Sequence, residues 1–328
     1  MNSGLDNVIQ FFEKNKKIII TTHESPDADG IGAEIALKEL LDSLGTKSFV
    51  VNGDPTPDKL CFLDVNSVIN IASDFSLPDD ISDYSVVVLD TNNFVNTGAA
   101  YTLLSAHVNE IFIIDHHEGG EDYIDTHFVM VEASSASEIV FFIMDHYRHD
   151  FTRNAAQALY TGLLFDTGGF KYKKTTPRTH LAVAKLLSTG IKPFEIHERI
   201  FDINELSAFL LKSKILSTVE VYLDGKMILM HLTPEMLKET GADFSQGETS
   251  INLPLSVAEV QVSVLLKQDV DGPLKVSMRT KGDLDVSGIA ISNGGGGHKN
   301  AAGFKTQLSR DDAKKYVVKQ IEELYNYK

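Results

Sequence analysis

Ile18-Ile19-Ile20-Thr21-Thr22-His23-Glu24-Ser25-Pro26-Asp27-Ala28-Asp29-Gly30 is an apolar run that stops on a histidine and two carboxylates. The same punctuation recurs along the chain. Val86-Val87-Val88-Leu89 stops on Asp90-Thr91-Asn92, Ile111-Phe112-Ile113-Ile114 on Asp115-His116-His117, and Leu163-Leu164-Phe165 on Asp166. Strand-like runs that alternate with helix-like segments argue an α/β fold, a mostly parallel sheet covered by helices. Open sheets of this kind place ligands outside the carboxyl ends of their strands. The acids and imidazoles are therefore expected in one crevice, where cations must offset their repulsion. That reading predicts a metal-dependent enzyme.

Outward from these runs, strands are predicted near 17–22, 47–52, 84–90 and 110–115, and helices near 30–44, 135–147, 154–165 and 178–189. Residues 1–195 form the expected metal-binding catalytic domain. Residues 196–218 carry few breakers and read as a helical linker. From 219 the period changes to two. Asp224-Gly225 between Val219–Leu223 and Met227–Met230 signals a hairpin. Further strands near 260–266 and 274–279 and a helix at 310–326 complete a smaller α/β domain over 219–328, with the active site expected in the cleft between the two domains.

The 328 residues suit two domains. Their 43% hydrophobic and 23% charged composition is that of a soluble globular protein. No apolar run reaches the roughly 20 residues of a membrane span, and the N-terminus lacks the features of a signal peptide. The single cysteine, Cys61, reads as a small buried hydrophobe. Together these favour the cytoplasm and no membrane partner. The net charge of −16 lies wholly in residues 1–205, with 15 Lys+Arg against 31 Asp+Glu; residues 206–328 hold 15 of each. A long nucleic-acid duplex is a poor partner for such a chain, which lacks a basic stripe. A short anionic substrate held by metals and a few cationic groups fits better.

In His23-x-x-x-Asp27-x-Asp29, residues two apart in a post-strand loop can present carboxylates to two neighbouring hard cations. Imidazole beside carboxylate suits manganese, with magnesium, cobalt or iron as alternatives. Asp27 and Asp29 equally fit caps of the following helix. Asp90 alone also fits a turn, Asp166 a helix end, and Asp115-His116-His117 a solvated loop. His146 and His149 read as solvated. Taken together at the element ends of one α/β pattern, the first four features favour a metal site. In the second domain, Gly294-Gly295-Gly296-Gly297-His298-Lys299 is expected to bring backbone N–H groups close to an anion, and Arg279 in Ser277-Met278-Arg279 is placed for a phosphate.

These motifs together resemble the DHH phosphoesterase superfamily with its DHH-associated C-terminal domain. The NrnA-type branch of bifunctional oligoribonucleases and 3′-phosphoadenosine-5′-phosphate phosphatases is the most similar. The resemblance implies two divalent ions, with manganese favoured. His23, Asp27 and Asp90 would hold one; Asp29, Asp90, His116 and Asp166 would hold the other. His117 would contact the scissile phosphate and Asp115 would support the shell. Ser277, Arg279, Gly295, Gly296, Gly297 and His298 would bind the nucleotide. The expected partner is short RNA or a small nucleotide, and a homodimer is compatible with the resemblance. A cyclic-di-AMP phosphodiesterase, a pyrophosphatase and a non-catalytic nucleotide binder are the competing readings. Gly169 stands where many relatives carry arginine and is followed by Lys171, Lys173 and Lys174, which leaves the basic contact there open.

Overall fold

The structure is a computed structural model that describes residues 2–108, 110–117, 127–203, 205–270 and 272–326. It divides into two compact units, residues 1–203 and 204–328. In the first unit, α1 (Asn2–Lys14) precedes β1 (Lys17–Thr22), α2 (Ala28–Ser43), β2 (Lys47–Asn52), β3 (Ile69–Ile71), β4 (Ser85–Leu89), α3 (Ala99–Leu104), β5 (Ile111–Asp115) and β6 (His127–Val129). Then follow α4 (Ala136–His146), α5 (Arg153–Asp166), α6 (Pro177–Leu187) and α7 (Pro193–His197). All strand pairings here are parallel, in the order β3-β2-β1-β4-β5-β6. The order reverses between β1 and β4, and such a reversal opens a crevice at the strands' carboxyl ends. His23 and Asp90 are the residues that follow these two strands.

Alternation along the strands sorts the cores. Ile18, Ile20, Val87, Leu89, Phe112 and Ile114 pack under α1, α2, α4 and α5, whereas Ile19, Val86, Val88 and Ile113 face Phe94 and α3. A sheet covered on both faces explains why these strands read as unbroken apolar runs. Helix α2 is buried from Ala28 to Leu37, so it shows no amphipathic stripe. Its close approach to α5 depends on Gly32, where a Cβ would stand 2.4 Å from the Ala158 carbonyl oxygen.

The second unit contains α8 (Leu206–Leu216), β7 (Glu220–Tyr222), β8 (Met227–Leu232), α9 (Pro234–Thr240), a run of 3₁₀ turns over Phe244–Ser256, β9 (Val262–Lys267) and β10 (Leu274–Thr280). It ends with α10 (Ser287–Ser292), β11 (Gly296–His298), β12 (Ala301–Thr306) and α11 (Arg310–Asn326). The mixed sheet runs β11-β12-β10-β9-β8-β7, and only β8 and β9 pair in parallel. One face packs on α10 and α11, the other on α8 and the 3₁₀ run. No helix among the described residues is long and apolar enough to cross a membrane.

The structure differs from the sequence reading at several places. Segment 196–218 is not one helix: α7 passes into a π-helical turn over Glu198–Asp202, and Leu211 and Ile215 of α8 join the core of the second unit. Gly296–His298, for which the sequence offers no strand signal, is an edge strand paired with Ala301–Gly303. Glycine is needed there because a Cβ on Gly297 would lie 2.4 Å from the Ala301 oxygen. Cys61 is exposed. It follows a single 3₁₀ turn whose apolar neighbours Leu60 and Leu63 take the buried positions.

Candidate metal centre

Asp27 caps α2, its Oδ1 accepting from the N–H groups of Asp29 (2.8 Å) and Gly30 (3.3 Å). The capping alternative therefore holds, and it fixes the direction of one carboxylate. Asp29 does not cap its own helix. It is fully buried, and its two oxygens accept from Ala136 N (2.6 Å) and Ser137 N (2.9 Å). Those groups open α4, whose N-terminus favours negative charge. Ser135 is the N-cap of α4, accepting from Glu138 N at 3.0 Å. Gly162 on α5 leaves the room: a Cβ there would stand 2.1 Å from Ser137 Oγ and 2.7 Å from Asp29 Oδ1.

Asp90 follows β4 in the left-handed region, φ 60°, which aspartate tolerates better than most residues. Its Oδ2 stands 3.5 Å from His23 Nε2 and its Oδ1 stands 3.3 Å from His116 Nε2. His116 Nε2 is also 3.2 Å from Asp166 Oδ2, on the last residue of α5, and 4.0 Å from Asp29 Oδ2. Despite these distances, Asp90 Oδ1 and both His116 ring nitrogens are buried without a hydrogen-bond partner among the described residues. Acid and imidazole crowded together but not hydrogen-bonded suit ligands around a cation better than ordinary ion pairs. His23, Asp27 and Asp90 make one such group, with ligand atoms within 4.8 Å of one another; Asp29, His116 and Asp166 make a second. Asp90, Asp115, His116 and His117 make a third. The residues thus fit divalent metal, with hard carboxylate oxygens and borderline imidazole.

The electrostatics agree. Burial, then the charges of Asp90 and Asp166, push the Asp27 and Asp29 carboxyls above their ordinary range. A cation would relieve that cost. Desolvation works against the Asp90 charge, but His116 and His23 outweigh it and hold its pKa down. The Asp90 carboxylate beside it lifts His23 to about 9.

Asp115 is fully buried and holds the triplet's turn, its Oδ1 accepting from His116 N (2.8 Å) and standing 2.7 Å from His117 Nδ1. That bond raises the His117 pKa. The half-exposed ring faces a hollow of about 550 Å³ lined by His23, Asp27, Asp90, Asn96 and Asp166. Of the three lysines beyond Gly169, Lys174 donates to the His116 carbonyl at 3.2 Å.

In the second unit, Ser277, Arg279 and Gly296 line a groove of about 290 Å³. Gly295, Gly297 and His298 are exposed but are not among its lining residues. The sequence reading missed Ser137 and Gly162. Ser135-x-x-Glu138 was the available signal for a helix N-terminus, but nothing in the sequence aims it at Asp29.

Residues 17–163 match the DHH family, N-terminal domain, and residues 231–326 match the DHHA1 domain. This chain belongs to the DHH family. It is a phosphoesterase. The bifunctional oligoribonuclease and PAP phosphatase NrnA of Thermus thermophilus is 29% identical, covering 93% of this chain and 89% of its own. A probable NrnA of Streptococcus mutans is 28% identical over 94% and 92%. The crystal structure of an exopolyphosphatase-related protein from Bacteroides fragilis superposes with a TM-score of 0.87 at 28% identity, covering 100% of this chain and 97% of that one.

The α4 N-terminus is itself held by an ion pair. Glu138 is fully buried, accepting from Arg178 Nε (3.1 Å), Thr179 Oγ1 (3.2 Å) and Ser134 N (2.5 Å). Removing one partner of a buried pair strands the other charge, so Arg178→Met should destabilise the fold by about 3 kcal/mol. Urea unfolding of the DHH-family enzyme measures this; a change below about 0.5 kcal/mol would contradict the assigned role.

Proposed function

We propose that this phosphoesterase works with two divalent cations, manganese first among them, on short oligoribonucleotides and 3′-phosphoadenosine-5′-phosphate, releasing mononucleotides and AMP. The observation that carries the reading is the meeting of two carboxylate–imidazole groups at Asp90. The names of the NrnA relatives support the substrate class. His23, Asp27 and Asp90 would hold one ion, and Asp29, Asp90, His116 and Asp166 the other. Such ions acidify an attacking water and offset charge on phosphate oxygens. Asp115 accepts from His117 Nδ1–H and favours the imidazolium form, whose Nε2–H would donate to a phosphate oxygen. Ser277, Arg279, His298 and the backbone of Gly295–Gly297 take the nucleotide. The acidic first half and the lone cysteine suit a cytoplasmic enzyme acting on small anions.

The test is a product-resolved assay with manganese. It compares a diribonucleotide, 3′-phosphoadenosine-5′-phosphate, cyclic-di-AMP and pyrophosphate at equal concentration. Faster turnover of either of the last two would overturn the reading. A second expectation concerns length. Few cationic groups are available to meet phosphates, so kcat/KM should fall from two nucleotides to about ten, with a shallow salt dependence. Initial rates on an oligoribonucleotide ladder at two salt concentrations measure both. A preference for long chains with a steep salt slope would point to a processive exonuclease instead.

A further inference from the structure

Three lysines stand abreast in the sheet of the second unit. Lys275 on β10 is the register partner of Lys267 on β9 and of Lys305 on β12. Like charges placed directly opposite each other on neighbouring strands destabilise a sheet, so an anion beside them stabilises the arrangement. Glu248, on the 3₁₀ run, supplies one. Its Oε1 accepts from Lys267 Nζ and, at 3.1 Å, from Lys275 Nζ. Lys267 is 1% exposed in its side chain and lies 4.5 Å over the Phe244 ring; Glu248 is 53% exposed. A buried ammonium thus depends on a carboxylate that solvent can displace. Residues two apart share a strand face, so Lys275, Ser277 and Arg279 form one row along the groove floor, and Ile251 and Leu265 add apolar lining.

We infer that Lys267, Lys275 and Lys305 form a second anion subsite beside Ser277 and Arg279, one that takes a terminal phosphate monoester, with Glu248 filling it until substrate arrives. The inference rests on the proposed nucleotide-hydrolase reading and sharpens its substrate class: a short nucleotide with a free phosphate beyond the bond that is cut. A monoester carries close to two charges near neutral pH. Once Glu248 is displaced, the lysines present enough positive charge to meet it. Glu248 competes for the same donors, so it favours doubly charged ligands over weaker anions. The burial that lowers the Lys267 pKa also strengthens its contact with whichever anion is present.

The experiment has two arms. With manganese, kcat/KM is measured for a 5′-phosphorylated diribonucleotide and for the same dinucleotide without that phosphate. Wild type should prefer the first by at least about 10-fold, and Lys275→Gln should remove most of that preference, as loss of a charge-assisted contact does. Lys305→Gln, at an exposed position, should reduce it without disturbing the fold. Glu248→Gln should lower KM for the phosphorylated substrate alone. In the second arm the full chain is held in chelator, and calorimetry compares adenosine 5′-monophosphate with adenosine. Monophosphate should bind more tightly, and Lys275→Gln should erase the difference. If the lysine variants change both ligands of each pair equally, the subsite is refuted. If wild type cleaves neither dinucleotide but binds monophosphate through Lys275, the hydrolase reading fails and the subsite stands.

Discussion

Asp90→Asn should cut manganese-supported hydrolysis by well over 100-fold while the chain stays folded. Loss of a group merely supporting a metal ligand costs roughly 10–100-fold, and Asp90 touches both ligand groups. It lies 3.5 Å from His23 and 3.3 Å from His116. Asparagine is the informative substitution. At φ 60° alanine would add backbone strain, whereas asparagine shares aspartate's tolerance of that region. The measurement is turnover across a manganese titration beside a calorimetric count of bound metal. Activity within about threefold of wild type at saturating manganese, a difference below 1 kcal/mol, would remove Asp90 from the centre.

Arg279→Ala should lower kcat/KM for nucleotide substrates by roughly 10- to 150-fold, the equivalent of ~1.5–3 kcal/mol for a lost charge-assisted contact. Metal content should not change. Arg279 lines the groove of the second unit with Ser277, and its guanidinium spends one donor on the Met278 carbonyl at 3.0 Å. The remaining donors suit a bidentate phosphate contact. Steady-state kinetics with metal analysis decide the matter. A variant that loses manganese in proportion to its activity would place Arg279 with the metal ligands instead.

The ends of β1, β4 and β5 were legible because a chemical change marks them: an apolar run, then acid and histidine. The period-two stretch around Asp224-Gly225 likewise announced the β7–β8 hairpin, although positive φ also falls on Leu223. Helix α1 was missed although Leu5, Val8, Phe11 and Phe12 recur at helical spacing and pack into the core. Strands β3 and β6 span three residues each, too few for a period to register. The glycine run did not announce its strand, for a physical reason. Glycines permit both an anion-binding loop and the close approach of an edge strand, and only the pairing partner at 301–303 selects between them.

Sequence by itself determined the α/β class, the residue types at the strand ends and the acidic bias of the first half, since all of these depend on neighbours along the chain. Tertiary structure decided the rest. Asp29 is set by a helix N-terminus 107 residues away and by the missing side chain of Gly162. His23 and Asp90 meet because β1 pairs with β4 rather than with its sequence neighbours alone. Lys267, Lys275 and Lys305 line up because three strands share one register. Local pattern encodes burial period and backbone hydrogen bonding, whereas contacts between distant segments depend on which faces pack together, and no spacing along the chain records that choice.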